Sequence, residues 1–124
     1  MHRLLMALIL FTGSAVAAGV AGEWSGTGVV NKVTQHFYFI FLQDGVTLNG
    51  SGGPDPSSQD VIQNGKVDGD KISFDISLNG DSTTLHFELS VDGAGLKGTV
   101  QLKSKHETFS GALALRRPNS PGKK

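Results

Sequence analysis

Three histidines, His36, His86 and His106, stand beyond the first few residues of the chain and have the chemistry to ligate a metal or move a proton. No two of them are spaced i, i+2 or i, i+4, so no pair of imidazoles shares a strand or helix face. His86 and Glu88 do share a strand face, but two ligands fall short of the set a metal site takes. Asp68-Gly69-Asp70 opens like a calcium loop, yet the ligand series stops there, and Asp-Gly is ordinary turn chemistry. Ser51-Gly52 and Ser110-Gly111 complete no Gly-x-Ser-x-Gly elbow, and no glycine-rich phosphate loop precedes a helix. Asp75 and Glu88 fall on outward faces of neighbouring strands, not in a cleft where burial would tune a carboxyl for catalysis. With no cysteine there is no thiolate nucleophile, disulfide or thiolate metal site. The residues assign no catalytic group, no metal and no cofactor, and the expectation is a protein that is not an enzyme.

These side chains sit on a succession of short strands. In the run Gly65 to Leu78, Ile72, Phe74, Ile76 and Leu78 alternate with polar residues, with Asp-Gly before them and Asn79-Gly80 after. The same period of two recurs and predicts eight strands. The first, 23–32, puts Trp24, Gly26, Gly28 and Val30 on one face. The second, 33–43, puts Phe37, Phe39 and Phe41 on one face and Tyr38, Ile40 and Leu42 on the other. The third, 46–52, points Val46 and Leu48 inward. Residues 53–60 carry two prolines and read as the longest loop. The fourth, 61–67, breaks parity between Ile62 and Val67, which a bulge at Asn64-Gly65 would repair. The fifth is 71–78. The sixth, 83–91, turns Leu85, Phe87, Leu89 and Val91 inward; the seventh, 96–104, Leu96, Gly98, Val100 and Leu102; the eighth, 106–116, Phe109, Gly111, Leu113 and Leu115. Strands at ~10-residue spacing with tight turns make an antiparallel meander. Closing the first strand on the eighth removes both exposed edges. The expected fold is all-β, an eight-stranded antiparallel up-and-down β-barrel. A two-sheet sandwich is the alternative and would need longer crossing connections.

The chain begins Met1-His2-Arg3, continues with an apolar run from Leu4 to Phe11, and then turns to small residues. That is the layout of a secretory signal peptide, with Ala15-Val16-Ala17 before one cleavage point and Ala21 before a second. The apolar run is well short of the ~20 residues of a membrane span. The expected organisation is 1–21 signal peptide, 22–117 barrel and 118–124 flexible basic tail, in a protein exported to the periplasm or secreted. Basic and acidic residues balance at 11 each, but the body holds every acid against lysines at 32, 66, 71, 97, 103 and 105. An acidic body speaks against nucleic acid as a partner. Outward Lys71, Asp75, His86, Glu88, Lys97, Gln101 and Lys103 would face lipid at a cost, so the barrel is not expected to span a membrane.

Inward glycines Gly26, Gly28, Gly98 and Gly111 fall on strands that adjoin only if the barrel closes. One wall is then low and faces the phenylalanines. Either rings from the far side fill the space and the glycines permit bending, or a cavity remains. In the second case Trp24, Phe37, Phe39, Phe41, Phe74, Phe87, Gly98 and Gly111 would bind a small, mostly apolar ligand. On the outside, Tyr38, Ile40 and Leu42, extended by Val29, suggest a homodimer or partner contact.

Gly22-Glu23-Trp24 resembles the Gly-x-Trp signature of the lipocalins. The resemblance implies a tryptophan that closes one barrel end and packs against a basic residue of the last strand, by position Arg116, as a cation–π pair. The chain is shorter than a lipocalin, lacks cysteine and has no helix after the barrel. It more closely resembles small exported bacterial β-barrel proteins of unassigned function. The matching stretches are Trp24 to Gly26, Phe37 to Phe41, Leu48 to Gly50, Gly65 to Phe74, Leu96 to Thr99 and Phe109 to Arg116. That resemblance implies the barrel and carries over no active residue. Two functions are expected from these readings: a non-catalytic binder of a small apolar molecule, or an interaction module with a filled core that contacts a partner or itself through the second strand.

Overall fold

The structure, a computed structural model, describes residues 19–78, 80 and 82–118. Of the expected signal peptide, 1–21, residues 1–18 lie outside the described residues, as do residues 119–124 of the expected basic tail. The strands are β1 Gly22–Val30, β2 Val33–Asp44, β3 Thr47–Asp55, β4 Ser58–Asp68, β5 Lys71–Leu78, β6 Thr83–Asp92, β7 Gly95–Ser104 and β8 Thr108–Arg116. Each pairs antiparallel with the next, and β1 pairs with β8, so the sheet closes as a barrel. The closing register places Gly26 beside Leu115 and Gly28 beside Leu113.

Local chemistry sets the corners. Asn31 and Lys32 both hold positive φ, 53° and 67°, which matches the right-handed twist of the hairpin they join. Gly69 in Asp68-Gly69-Asp70 sits at φ 64°, as a tight turn requires. The bulge expected in β4 is present. The register slips between Gln63 and Lys66, Asn64 takes φ 56°, and Ile62 and Val67 are both buried.

The loop expected at 53–60 is instead strand up to a two-residue turn. Pro54 falls where the β3–β4 register slips between Gly52 and Asp55, a position where a missing N–H breaks no ladder. Asp55 Oδ1 accepts hydrogen bonds from the Ser57 N–H at 2.9 Å and the Ser57 hydroxyl at 2.7 Å, and these hold its carboxyl below the ordinary range. Gln59 Nε2 donates to the carbonyls of Tyr38 at 3.1 Å and Asp55 at 2.8 Å. Side chains thus complete what the prolines leave out of the ladder. Val46 and Val91, expected inward, are exposed: Val46 lies in the turn between β2 and β3, and Val91 stands next to the end of β6.

The middle of the barrel is full. Phe39, Phe41, Phe74 and Phe87 are wholly buried. Phe74 and Phe87 stack at 4.7 Å between centroids, and Phe39 meets both edge-on at 5.3 and 5.2 Å. The low wall is a seam of close backbone approach. A Cβ on Gly26, Gly98 or Gly111 would collide with the carbonyl oxygen of Ala114, Glu88 or Val29 on the neighbouring strand.

Candidate functional site

The two ends of the barrel differ. At one end Trp24 is buried, and the Arg117 guanidinium carbon lies 4.2 Å from its ring centroid. The expected partner was Arg116. Alternation decides otherwise: Leu113 and Leu115 point inward, so Arg117 follows them while Arg116, paired with Ser25, faces solvent. Residues 19–21 cross this end. Arg117 donates from Nη1 to the Ala21 carbonyl at 2.8 Å and from Nη2 to the Gly19 carbonyl at 3.0 Å. Trp24 Nε1 donates to the Val20 carbonyl at 2.9 Å, and the Val20 N–H donates to Gln43 Oε1 at 3.3 Å. Val20 is only 3% exposed, so it acts as the stopper.

The opposite end is open and apolar. Val30, Val33, Phe37, Leu78, Leu85, Leu102 and Phe109, with Asn31 and Gln35, line a cleft of about 330 Å³. A second cleft of about 190 Å³ adjoins it, sharing Gln35, Phe37, Leu78 and Leu85 and reaching Phe39, Phe87, His36 and Asp60. Leu78, Leu85, Leu102 and Phe109 pack on the core but stay only partly buried. Cross-strand register gathers them: Phe109 pairs with Leu102, and Leu102 with Leu85.

The residues expected to bind a ligand therefore separate. Phe37, Phe39 and Phe87 line the open clefts. Phe41 and Phe74 are sealed in the middle, and Trp24 belongs to the closed end. Gly98 and Gly111 lie on the close-packed seam, and the depression beside Gly98 is a shallow outer one lined by Thr27, Val29, Thr99, Ala112 and Ala114. The rim leucines, Val33 and Phe109 were not singled out from the sequence. The signal was present: each is the first or last apolar residue beside a hairpin turn on the same end of the barrel.

On the outer face of β2, the Tyr38 hydroxyl donates to Glu23 Oε1 at 2.6 Å. That bond, aided by burial and the carboxylate charge, raises the Tyr38 pKa above its ordinary 10.0. Ile40 is half-buried and Leu42 is 61% exposed. Ile40 pairs with Ser51 and Ser51 with Val61, which is 70% exposed, so the apolar stripe runs onto β4. Val29, expected to extend it, pairs instead with Thr34 and Ala112 and lies apart.

A polar chain crosses the outer face of β4, β5 and β6. His86 Nδ1 lies 2.6 Å from Asp75 Oδ1, and His86 Nε2 lies 2.9 Å from Glu88 Oε2. Asn64 Nδ2 donates to Asp75 Oδ2 at 3.0 Å. The carboxylates flank the imidazole from opposite sides and converge on no common point, and no metal-holding group of three or more such residues occurs among the described residues. Hydrogen bonding to Glu88 and then to Asp75, against the pull of burial, raises the His86 pKa above its ordinary 6.5. Burial pushes Asp75 up, but bonds from His86 and Asn64 and the nearby charges of His86 and Lys103 together hold it below its ordinary value.

The sign of the pH dependence follows. A raised folded pKa on His86 gives stability that is complete below pH 6.5 and is lost as pH rises through the folded value. The depressed Asp75 pKa gives stability that is lost only in acid, as pH falls through its folded value. Urea midpoints of the wild type should fall on going from about pH 6 to about pH 9, and His86→Asn should flatten that fall. An equally steep fall in the variant would place its source elsewhere.

Compared with known proteins, the chain matches no family model, no curated protein and no solved structure.

Proposed function

We propose that the protein is an exported, non-catalytic barrel, lipocalin-like in plan, that holds a small and mostly apolar molecule in its open end. The contrast between the ends carries this reading. One end is stopped by Val20, Trp24 and Arg117, while the other leaves Leu78, Leu85, Leu102 and Phe109 partly bare around a cleft. A folded chain gains nothing in stability from apolar side chains left at a concave mouth, whereas an apolar guest would cover them. Ligand pockets run from roughly 300 to 1,000 Å³, so the guest would be small. Phe37 would form the floor, with Gln35, His36 and Asp60 at one side for a polar group on the guest. The binding place is thus the mouth, not the barrel centre. Charged and polar groups on the outer surface, among them Asp75, His86, Glu88 and Lys97, support a barrel in water and not in lipid.

Native mass spectrometry of protein purified from its own host tests this. A monomer with a retained small molecule is the expected result. Leu102→Gln should weaken binding of an apolar fluorescent probe about tenfold, since losing about 1.4 kcal/mol of apolar contact is one decade. A monomer that retains nothing and binds no apolar probe would sink the reading. The exposed stripe of Leu42 and Val61 around Ile40 favours a second reading, self-association through β2 and β4. A dimer that dissociates on Leu42→Lys and carries no small molecule would support that one instead.

A further inference from the structure

The sequence offers two cleavage points for the leader, after Ala17 and after Ala21, with small residues one and three positions before each bond: Ala15 and Ala17, or Gly19 and Ala21. Both leaders have an ordinary length, in a range of roughly 15–30 residues. Sequence rules therefore do not choose between them.

Residues 19–21 do. They are part of the packed body. Val20 is buried to 3% exposure and closes the end of the barrel over Trp24. Its carbonyl is the acceptor for Trp24 Nε1, a buried donor at 2.9 Å. The carbonyls of Ala21 and Gly19 each accept a hydrogen bond from the Arg117 guanidinium. The Gly19 position itself is exposed, and a side chain placed there would touch nothing, so its part in the closed end is the carbonyl that Arg117 holds.

We infer that the processing site is the Ala17–Ala18 bond, and that Gly19-Val20-Ala21 stays on the mature protein as the stopper of the closed end. This rests on the export reading above. The reaction is hydrolysis of one peptide bond by a leader peptidase, with water as co-reactant, giving a new carboxylate on Ala17 and a new amine on Ala18. Cleavage precedes folding, so the fold does not shield either bond; what it constrains is which mature chain can close. A chain beginning at Gly22 would lose the stopper, leave Trp24 Nε1 without its acceptor and deprive Arg117 of two.

The test is intact mass and N-terminal sequencing of the exported protein made from the full chain in a secreting bacterial host. A mature chain beginning at Ala18 is expected. One beginning at Gly22 overturns the inference while leaving export standing. A chain retained inside the cell with its leader uncut sinks the export reading, and the inference with it. Trp24 is the single tryptophan, which gives a second readout. Chains made to start at Ala18 and at Gly22 should differ, the shorter one showing red-shifted Trp24 emission and a lower melting temperature or no folded state. Identical emission and melting would overturn the stopper's role.

Discussion

Alanine in place of Phe74 is expected to lower the stability of the barrel by about 3–5 kcal/mol, the cost of truncating a buried aromatic ring. Domains of this kind hold only about 5–15 kcal/mol in total, so the variant should lose from a fifth of its stability to nearly all of it. Phe74 has no exposed surface and touches three other rings, Phe87 at 4.7 Å, Phe39 at 5.3 Å and Phe41 at 5.4 Å. Stacked and edge-on pairs of this geometry are worth about 0.5–1.5 kcal/mol beyond the area they bury. No neighbour is free to collapse into the gap, because each is held by its own strand in a closed sheet. Urea denaturation measures the loss. A change below about 1 kcal/mol would mean the rings are loosely packed and that the interior has room to spare. Phe109→Ala makes the contrast. That ring stands at the mouth, partly exposed, and should affect apolar binding more than stability.

Gly111→Ala should also destabilise the barrel, by about 1–3 kcal/mol or more, and here the sign matters as much as the size. Were Gly111 beside an empty cavity, an added methyl would fill it and the protein would gain stability. In the structure the methyl would strike the carbonyl oxygen of Val29 on β1. That carbonyl belongs to the strand that closes the barrel, where Val29 pairs with Ala112 and Val30 with Gly111 itself. It cannot move without opening the sheet. Each kcal/mol lost should lower the melting temperature by about 4–8 °C in a domain of this size. Gly98→Ala is the companion, since its methyl would meet the Glu88 carbonyl on β6. A rise in melting temperature for either variant would restore the cavity.

Most of the fold was legible because the strands alternate cleanly. Ile72, Phe74 and Ile76 could face only one way, and the parity break between Ile62 and Val67 pointed straight at Asn64-Gly65. Pro54 and Pro56 misled for a definite reason. They argue against a ladder, but the register slip at Pro54 removes the need for its N–H, and the Gln59 amide on the facing strand supplies donors to the carbonyls of Tyr38 and Asp55. Arg117 was within reach: counting by twos from Leu113 arrives at it, whereas matching by the end of the strand arrives at Arg116. The open mouth was harder. Alternation says which residues face in, but not how deep each lies, and depth depends on how all the hairpins line up around the ring. A missing side chain is ambiguous for the same reason. Nothing in the letters separates a glycine that makes room for a guest from one that makes room for a neighbouring backbone.

The hydrogen bond from Arg117 to Gly19 spans 98 positions and fastens the last contact of the barrel to the first. It also sets an order in time. Contacts so far apart along the chain are slow to form, because a long loop must close before they are rewarded. While the chain is being made, β1 has no β8 to meet, and the end of the barrel has nothing to clasp the Val20 segment. Until β8 is made, the edge of β1 that pairs with it has no partner, and until Arg117 is made nothing holds the Gly19 and Ala21 carbonyls. On the export reading, that delay is useful: the leader reaches the export machinery while the cylinder behind it is still unclosed and able to pass as an extended thread.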